Sequence, residues 1–199
     1  MFSSFAGTHV FLADSTSATN FISIDSATSI RVRINTQQVS FTVPTMSVST
    51  WYNVILTVDT GSGRMYLNGI ESTSGSQTIN QNWVVSSING YANYHAAGFD
   101  FIGNIDEVSF YNYALDSATA LSIGGTVPTD LSLLATPPIN YYKMGENATF
   151  LTNWTVPDSV GSNTGTSANM TIEDRVGEAP NSENNAVSLN MDFADVVLD

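Results

Sequence analysis

The stretch from Phe99 to Ser122, FDFIGNIDEVSFYNYALDSATALS, constrains the fold of this chain most strongly. It starts with alternating apolar and polar residues around an Asp-Glu pair, passes through a Tyr-Asn-Tyr-Ala-Leu corner and reaches Asp116 before an apolar run. Alternation with a period of two is typical of a half-buried strand, and Asp is a favoured residue at a helix N-terminus. The stretch therefore predicts a strand, a corner and a short helix that begins at Asp116. Three apolar residues of this helix are expected to pack inward: Leu115, Ala118 and Leu121.

Strand signals of the same kind run through the first hundred residues. Ser29–Ile34 and Gln38–Val43 each place apolar residues at every second position, and Asp59–Gly63 is a glycine-bearing hairpin loop. Short strands at this spacing predict a β-sandwich rather than βαβ units. The shared phase predicts one core between two sheets, formed by Ile30, Val32, Phe41, Val54, Leu56, Leu67, Val108 and Phe110. The apolar face of the strand before the hairpin loop is expected to contain Tyr52, Val54, Leu56 and Val58.

Two runs resemble motifs of laminin-G-like, concanavalin A-type jelly rolls. Phe99–Ser122 resembles that family's closing strand, and Trp51–Ser72, WYNVILTVDTGSGRMYLNGIES, resembles its central hairpin. The resemblance implies an all-β fold, an antiparallel jelly-roll β-sandwich with one short helix and an extended C-terminal arm. It carries little information about function, since this fold serves lectins, adhesion modules, hydrolases and virion proteins.

The order of the motifs suggests three segments. Residues 1–125 are expected to form the laminin-G-like sandwich, residues 126–138 a proline-containing connector, and residues 139–199 the C-terminal arm. Asn140–Met170 and Asn185–Leu198 of this arm resemble the strands that open a laminin-G-like module. The sandwich is then circularly permuted, or the arm is donated to a neighbouring copy, or it is the relic of a second module; a coil that merely covers the sandwich is the plain alternative. We expect Asn185–Leu198 to form a strand with Val187, Leu189 and Met191 turned inward.

The composition excludes several classes of partner. Five basic and eighteen acidic residues give a net charge of −13, so the chain has almost nothing with which to neutralise nucleic-acid phosphates. It has no cysteine, which excludes disulfides and thiolate metal sites. The first fifteen residues lack the basic and apolar regions of a secretory signal, and no segment is apolar enough to span a membrane.

The Asp-Glu pair does not match the carboxylates of glycosidases of this fold. Those enzymes carry Glu-x-Asp-x-x-Glu on one strand, and here Asn104 and Ser109 occupy both glutamate positions. Only Asp106 remains, so no catalytic residue and no enzymatic activity are predicted. We expect the Asp106 carboxylate to be buried and to accept hydrogen bonds from loop amides, in which case Asp106→Asn lowers stability. Calcium binding by Asp106 is the alternative, and no other cofactor is implied.

An aromatic loop offers a second candidate site. Tyr91, Tyr94 and His95 lie in the run GYANYHAAG, and Trp83 precedes it. Aromatic rings at the rim of a sandwich pair well with the apolar faces of sugars, and they are equally suited to packing between subunits. Subunit packing is the preferred interpretation, and a glycan shelf is the alternative.

The resemblance to laminin-G-like structural proteins of marine tailed phages leads to the functional expectation. The chain is expected to be a non-enzymatic virion surface protein, a capsid decoration, head-fibre or tail-fibre subunit, made in the host cytoplasm. Its partners would be further copies of itself, neighbouring virion proteins and cell-surface glycan, with no nucleic acid and no membrane insertion. The alternative is an extracellular carbohydrate-binding lectin or adhesion module of a bacterial surface protein.

Overall fold

Four strands near the N-terminus form an antiparallel meander in the computed structural model of the chain. The structure describes residues 1–83, 85–89, 99, 101–125, 129–177, 188–191 and 195–198. The meander strands are β1 (His9–Asp14), β2 (Ser17–Ser26), β3 (Ser29–Ile34) and β4 (Gln37–Thr42). Each pairs with the next in the order of the sequence, because the connecting turns are only two residues long.

The next four strands form a separate sheet around the predicted hairpin. They are β5 (Val54–Asp59), β6 (Ser62–Leu67), β7 (Ile70–Glu71) and β8 (Gln77–Thr78). The β5–β6 turn has φ values of 46° at Thr60 and 84° at Gly61, and the β6–β7 turn has 49° at Asn68 and 76° at Gly69. Two consecutive left-handed residues match the twist of antiparallel strands, which explains the Asn-Gly sequence in the second turn.

The rest of the described chain contains short strands and one α-helix. They are β9 (Ser87–Ile88), β10 (Asn104–Ile105), β11 (Val108–Phe110), α1 (Ser117–Ile123), β12 (Asn140–Tyr142), β13 (Thr149–Phe150), β14 (Trp154–Pro157), β15 (Thr164–Ala168), β16 (Arg175–Val176), β17 (Ser188–Asn190) and β18 (Asp195–Leu198). Single 3-10 turns lie at Leu131–Leu133 and Ile172–Asp174. The first of these turns lies within the segment expected to be a connector.

Strands from both ends of the chain share the same sheets. The large sheet has nine strands in the order β13-β14-β15-β18-β9-β1-β2-β3-β4. Two smaller sheets join the parts again, since β17 lies between β10 and β16, and β11 pairs with β12. The strands expected in the C-terminal arm therefore complete a sandwich within the same chain.

The predicted core is confirmed as one cluster. Ile30, Val32, Phe41 and Leu67 are at most 2% exposed, and Arg31 and Arg33 lie on the opposite, outer face of β3. The other four predicted core residues, Val54, Leu56, Val108 and Phe110, are half-buried and pack against the same cluster. All four belong to β5 and β11.

The residues predicted to face the core are partly wrong in two elements, β5 and α1. Val58 is 40% exposed, and Thr57 is buried instead because its Oγ1 donates to the carbonyl of Leu115 at 3.1 Å. In α1 the residues that pack inward are Ala120 and Ile123, with Leu115 before the helix. The other two residues of the predicted inner face, Ala118 and Leu121, are exposed. The Asp116 N-cap itself is confirmed, since its carboxylate accepts from Thr119 N at 2.7 Å.

The predicted strand at Asn185–Leu198 is two strands instead of one. Leu189 and Met191 are fully buried as expected, and Ser188, expected to face outward, is buried as well. β17 belongs to a three-stranded sheet and β18 to the large sheet, so the chain changes sheets between them. Val187 lies outside the described residues, and exchange of this segment between copies stays a prediction.

Candidate functional site

A cavity of about 1130 Å³ lies between β5 and β11. Every residue of both strands lines it, and the aliphatic side chains of Ile22, Ile24 and Ile34 from β2 and β3 form part of its inner wall. β5 is the end strand of its sheet, and in the described part of the chain β11 pairs only with β12. The two strands therefore face each other as unpaired edges across a cleft, which leaves their core residues half-buried. We call this feature the β5–β11 cleft.

The mouth of the cleft combines aromatic rings with exposed amides. The aromatic residues come from three separate parts of the sequence and are Trp51, Tyr52, Trp83, Tyr111 and Tyr113. The exposed amide side chains that line the same cavity are Asn53, Asn68, Gln81, Asn82 and Asn112. Tyr111 and Tyr113 stack edge to face with ring centroids 5.5 Å apart, and the Tyr113 hydroxyl donates to the carbonyl of Thr136 at 2.7 Å. This packing fixes the orientation of two of the rings.

The Asp106–Glu107 pair interrupts the strand that the sequence predicts. β10 ends at Ile105 and β11 begins at Val108, and between them Glu107 has a φ of 54°. A left-handed conformation is uncommon for a residue other than glycine, asparagine or aspartate, and it breaks the alternation of side chains along a strand. Both residues line the cleft, while both oxygens of Asp106 and Oε1 of Glu107 are buried behind its surface.

The Asp106 carboxyl group is buried without the bonds predicted for it. Neither of its oxygens has a hydrogen-bond partner in the described part of the chain. The amide of Glu107 attracts the carboxylate without meeting hydrogen-bond geometry. Burial, and then the negative charges of Glu146 and Glu107, raise the pKa of Asp106 to about 9. The group is therefore protonated at neutral pH, and the expected role as an acceptor for loop amides is not observed.

Glu107 is linked to the segment that follows the connector. Its Oε2 accepts a short hydrogen bond from the Tyr141 hydroxyl, while Oε1 has no partner among the described residues. Burial raises the pKa of Glu107 to about 7, although the Tyr141 hydroxyl opposes this shift. The nearby Lys143 ammonium is paired with Asp130 at 3.1 Å and lies 5.6 Å from the Tyr141 ring. This network joins β11 to β12 beneath the cleft.

The described residues do not assemble a metal centre at this position. Nowhere in the part of the chain that the structure describes are three His, Asp or Glu side chains grouped so that they could hold an ion. Calcium requires six to eight oxygen ligands, several of them usually ionised carboxylates. The described residues do not bring three such side chains together around Asp106, so they do not supply that ligand set, and calcium binding by Asp106 stays a prediction.

Of the four residues predicted as glycan-binding candidates, the structure describes only Trp83. Trp83 is half-buried in the wall of the cleft, and its Nε1 is buried without a partner among the described residues. Tyr91, Tyr94 and His95 lie outside the described residues. Sequence reasoning missed the contribution of the Trp-Tyr-Asn run at Trp51 and the Tyr-Asn-Tyr corner at Tyr111. The usable signal was that both family-like motifs carry adjacent aromatic and amide residues.

Comparison with known proteins identifies the family. A family model described as the concanavalin A-like lectin/glucanases superfamily matches residues 2–120. The chain belongs to this superfamily. No curated protein gives a significant match to the chain. This assignment agrees with the observed sandwich and with the position of both motifs. The superfamily includes glucanases as well as lectins.

A solved structure supports the fold of this superfamily member. The chain is similar to a candidate carbohydrate-binding protein from Bacteroides ovatus ATCC 8483, with a TM-score of 0.61 and 18% sequence identity. The similarity covers 83% of this chain and 48% of that one, so the chain spans about half the length of the solved protein. At this identity the likeness concerns the fold. Neither comparison links the chain to virion proteins.

The described helices were also compared with the requirements of a bilayer. None of them has the length and apolar character needed to cross a membrane. The one α-helix, Ser117–Ile123, has seven residues, whereas a spanning helix needs about 20.

Proposed function

We propose that the chain is a carbohydrate-binding module that holds a neutral glycan at the mouth of the β5–β11 cleft. The observation that carries this proposal is the mouth itself, where five aromatic side chains and five exposed amides surround one cavity. Rings supply flat apolar surfaces for the C–H faces of sugars, and amides both donate to and accept from sugar hydroxyls. Superfamily membership and the fold of the Bacteroides ovatus protein support the same proposal.

We infer that the module binds without hydrolysing. Retaining hydrolysis needs two carboxyl groups about 5–5.5 Å apart, one ionised as nucleophile and one protonated as acid. The superfamily positions for such a pair are occupied by Asn104 and Ser109. Asp106 is buried and protonated, and the Glu107 carboxyl group is hydrogen-bonded to Tyr141 below the surface of the cleft. Neither group is placed to meet a glycosidic oxygen from solvent.

The virion role expected from the sequence remains a prediction without support from the comparisons. A lectin module and a fibre subunit are compatible with the same sandwich, because sites rather than folds determine function. Glycan binding by the isolated protein is the property that favours the module.

Glycan binding can be tested with the aromatic residues of the cleft. Neutral oligosaccharides on an array identify a ligand, and titration calorimetry then measures its affinity for the protein and for Trp83→Ala. We expect the variant to bind about tenfold more weakly, a loss of about 1.4 kcal/mol, because one stacking surface is removed. Phe150→Ala is the matched control, since Phe150 is a half-buried aromatic residue that does not line the cavity.

Two results would contradict the proposal. One is an array on which no neutral glycan binds the folded protein. The other is a ligand whose affinity falls equally in Trp83→Ala and Phe150→Ala, since this would place the site away from the cleft.

A further inference from the structure

We propose that the β5–β11 cleft takes an uncharged amphiphile, with a glycosyl head group at the mouth and an alkyl chain in the interior. The head-group part rests on the proposed glycan-binding function. The alkyl chain is inferred from the apolar inner wall, which a glycan bound at the mouth would not contact. A single cavity whose lining changes from amides and phenols to aliphatic side chains matches a ligand whose polarity changes in the same direction.

The inner wall is made of apolar side chains from both layers of the sandwich. It includes Phe11, Ile22, Ile24, Ile34, Met46 and Ile79. An oligosaccharide pushed against this wall would lose hydrogen bonds to water and gain none in return, which is costly. Apolar cavities of this kind stay dry or bind apolar molecules. The volume of about 1130 Å³ slightly exceeds the usual range for ligand pockets, about 300–1,000 Å³, so it leaves room for more than one sugar ring.

The charges around the cavity argue against an anionic head group. Among its described lining residues the carboxylic acids are Asp59, Asp106 and Glu107, and none is Lys, Arg or His. Met1 also lines the cavity, but its amino group donates to the carbonyl of Asn104 at 2.7 Å, and burial lowers the pKa of that amino group to about 5. A fatty-acid carboxylate would find no cationic side chain on this wall and would be repelled by Asp59. A neutral glycosyl head avoids that cost and uses the exposed amides.

Alkyl glucosides of increasing chain length provide the test. Binding of methyl, hexyl, octyl and decyl β-D-glucoside is measured by calorimetry below the critical micelle concentration of each, with decanoate as the anionic comparison. We expect affinity to rise about fourfold for each methylene that enters the cavity, the value for full burial of one CH₂ group. Decanoate should bind at least about tenfold more weakly than decyl glucoside.

Two variants test whether the alkyl chain lies in the cavity. Leu56→Phe enlarges a half-buried side chain of β5 that lines the cleft, so it should flatten the dependence on chain length. Ile70→Phe makes the same kind of change on β7 at a residue that is 57% exposed and does not line the cavity, and it should leave the dependence unchanged. Thermal unfolding of both variants shows whether they are folded.

The outcomes separate this inference from the proposed function. Equal affinity for methyl and decyl glucoside, or no binding of any alkyl glucoside, would overturn the amphiphile while a positive glycan array would keep the carbohydrate-binding module. Equal affinity for decanoate and decyl glucoside would overturn the requirement for a neutral head. A chain-length dependence that persists in Leu56→Phe would place the alkyl chain elsewhere and would also overturn the inference.

Discussion

Asp106 and Asp158 show how differently two carboxyl groups are used in this sandwich. Oδ1 of Asp158 accepts from the amides of Tyr141, Val160 and Gly161 at 2.8, 3.1 and 3.0 Å. Burial alone would raise the pKa of Asp158, but these bonds and one from the Asn140 side chain outweigh it and lower the pKa. Asp106 is buried with no such donors. The first group holds a turn in place, and the second is a buried acid that the fold keeps protonated.

At the residue scale we therefore expect Asp158→Ala to be strongly destabilising. The change leaves three backbone amides without their acceptor. The bonds of Tyr141 and Val160 are partly buried and that of Gly161 is exposed, so each loss lies toward the lower end of the cost of an unsatisfied buried group, about 1–3 kcal/mol. A total loss of about 2–4 kcal/mol in urea unfolding is expected. Glu71→Ala is the control, because Glu71 forms an exposed ion pair with Arg64 that is worth about 0–1 kcal/mol. Similar losses in the two variants would show that the Asp158 bonds contribute no more than a surface pair.

The strands whose core residues alternate in the sequence were predictable. β3 and β4 show this directly, since each contains a local pattern that does not depend on distant residues. The phase of α1 was not predictable, because seven residues make only about two turns and leave two apolar faces to choose between. The choice is made by tertiary packing, because Ile123 packs in one cluster with Leu115 and Tyr141, and Ala120 is buried on the same side of the helix.

The site was predictable only in part for a similar reason. Trp83 stood out as an aromatic residue near a turn, whereas the partners that surround it come from Trp51 and Tyr111, about 30 residues away on either side. Their shared cavity exists because β5 and β11 remain apart, and no local pattern records the distance between two strands. The conformation of Glu107 was also hidden, because an Ile-Asp-Glu-Val run reads as continuous strand.

At the element scale, two substitutions in α1 show which face of the helix packs against the sandwich. Ile123 is 8% exposed and Leu121 is 60% exposed, although the sequence favours Leu121 as the inner residue. We expect Ile123→Ala to lower the free energy of unfolding by about 2–3 kcal/mol through lost burial and a residual cavity. Leu121→Ala should change it by about 0.5 kcal/mol or less. Chemical denaturation measures the free energy of unfolding of both variants. A larger loss in Leu121→Ala than in Ile123→Ala would show that the helix face predicted from the sequence is the buried one.

For the whole molecule, the buried acids predict that stability falls as pH rises from about 4 to about 9. Unfolded Asp and Glu lose their protons near pH 4, whereas burial raises the pKa of folded Asp106 to about 9 and that of Glu107 to about 7. Between these limits the folded state binds more protons than the unfolded state, so the free energy of unfolding decreases with pH, by at most about 1.4 kcal/mol per pH unit for each group. The lowered pKa values of Asp130 and Asp158 act in the other direction in acid near pH 4 and below. Burial lowers the pKa of the Met1 amino group from 8.0 to about 5, so this one group opposes the decline between pH 5 and pH 8 and makes it shallower.

Urea unfolding from pH 5 to pH 9 tests this prediction. Asp106→Asn removes the buried acid and should flatten the decline and raise stability at pH 9, contrary to the loss expected if the carboxylate accepted amide bonds. Asp25→Asn is the control, because Asp25 forms a partly exposed pair with Arg31 on the outer face of the meander. A protein whose stability is constant or rises over this range would show that Asp106 is ionised in the folded state.

The position of β18 has a consequence for how the protein is made. Residues 195–198 pair with β9 at Ser87 and Ile88 on one side and with β15 at Gly165–Ala168 on the other. During synthesis, the edges of β9 and β15 are therefore both complete long before the strand that joins them leaves the ribosome. A protein chain grows by about 5–20 residues per second, so the β9 edge waits for several seconds or longer. Exposed strand edges pair readily with other chains, so crowded nascent chains on one messenger RNA should aggregate more when translation of residues 169–198 is slow.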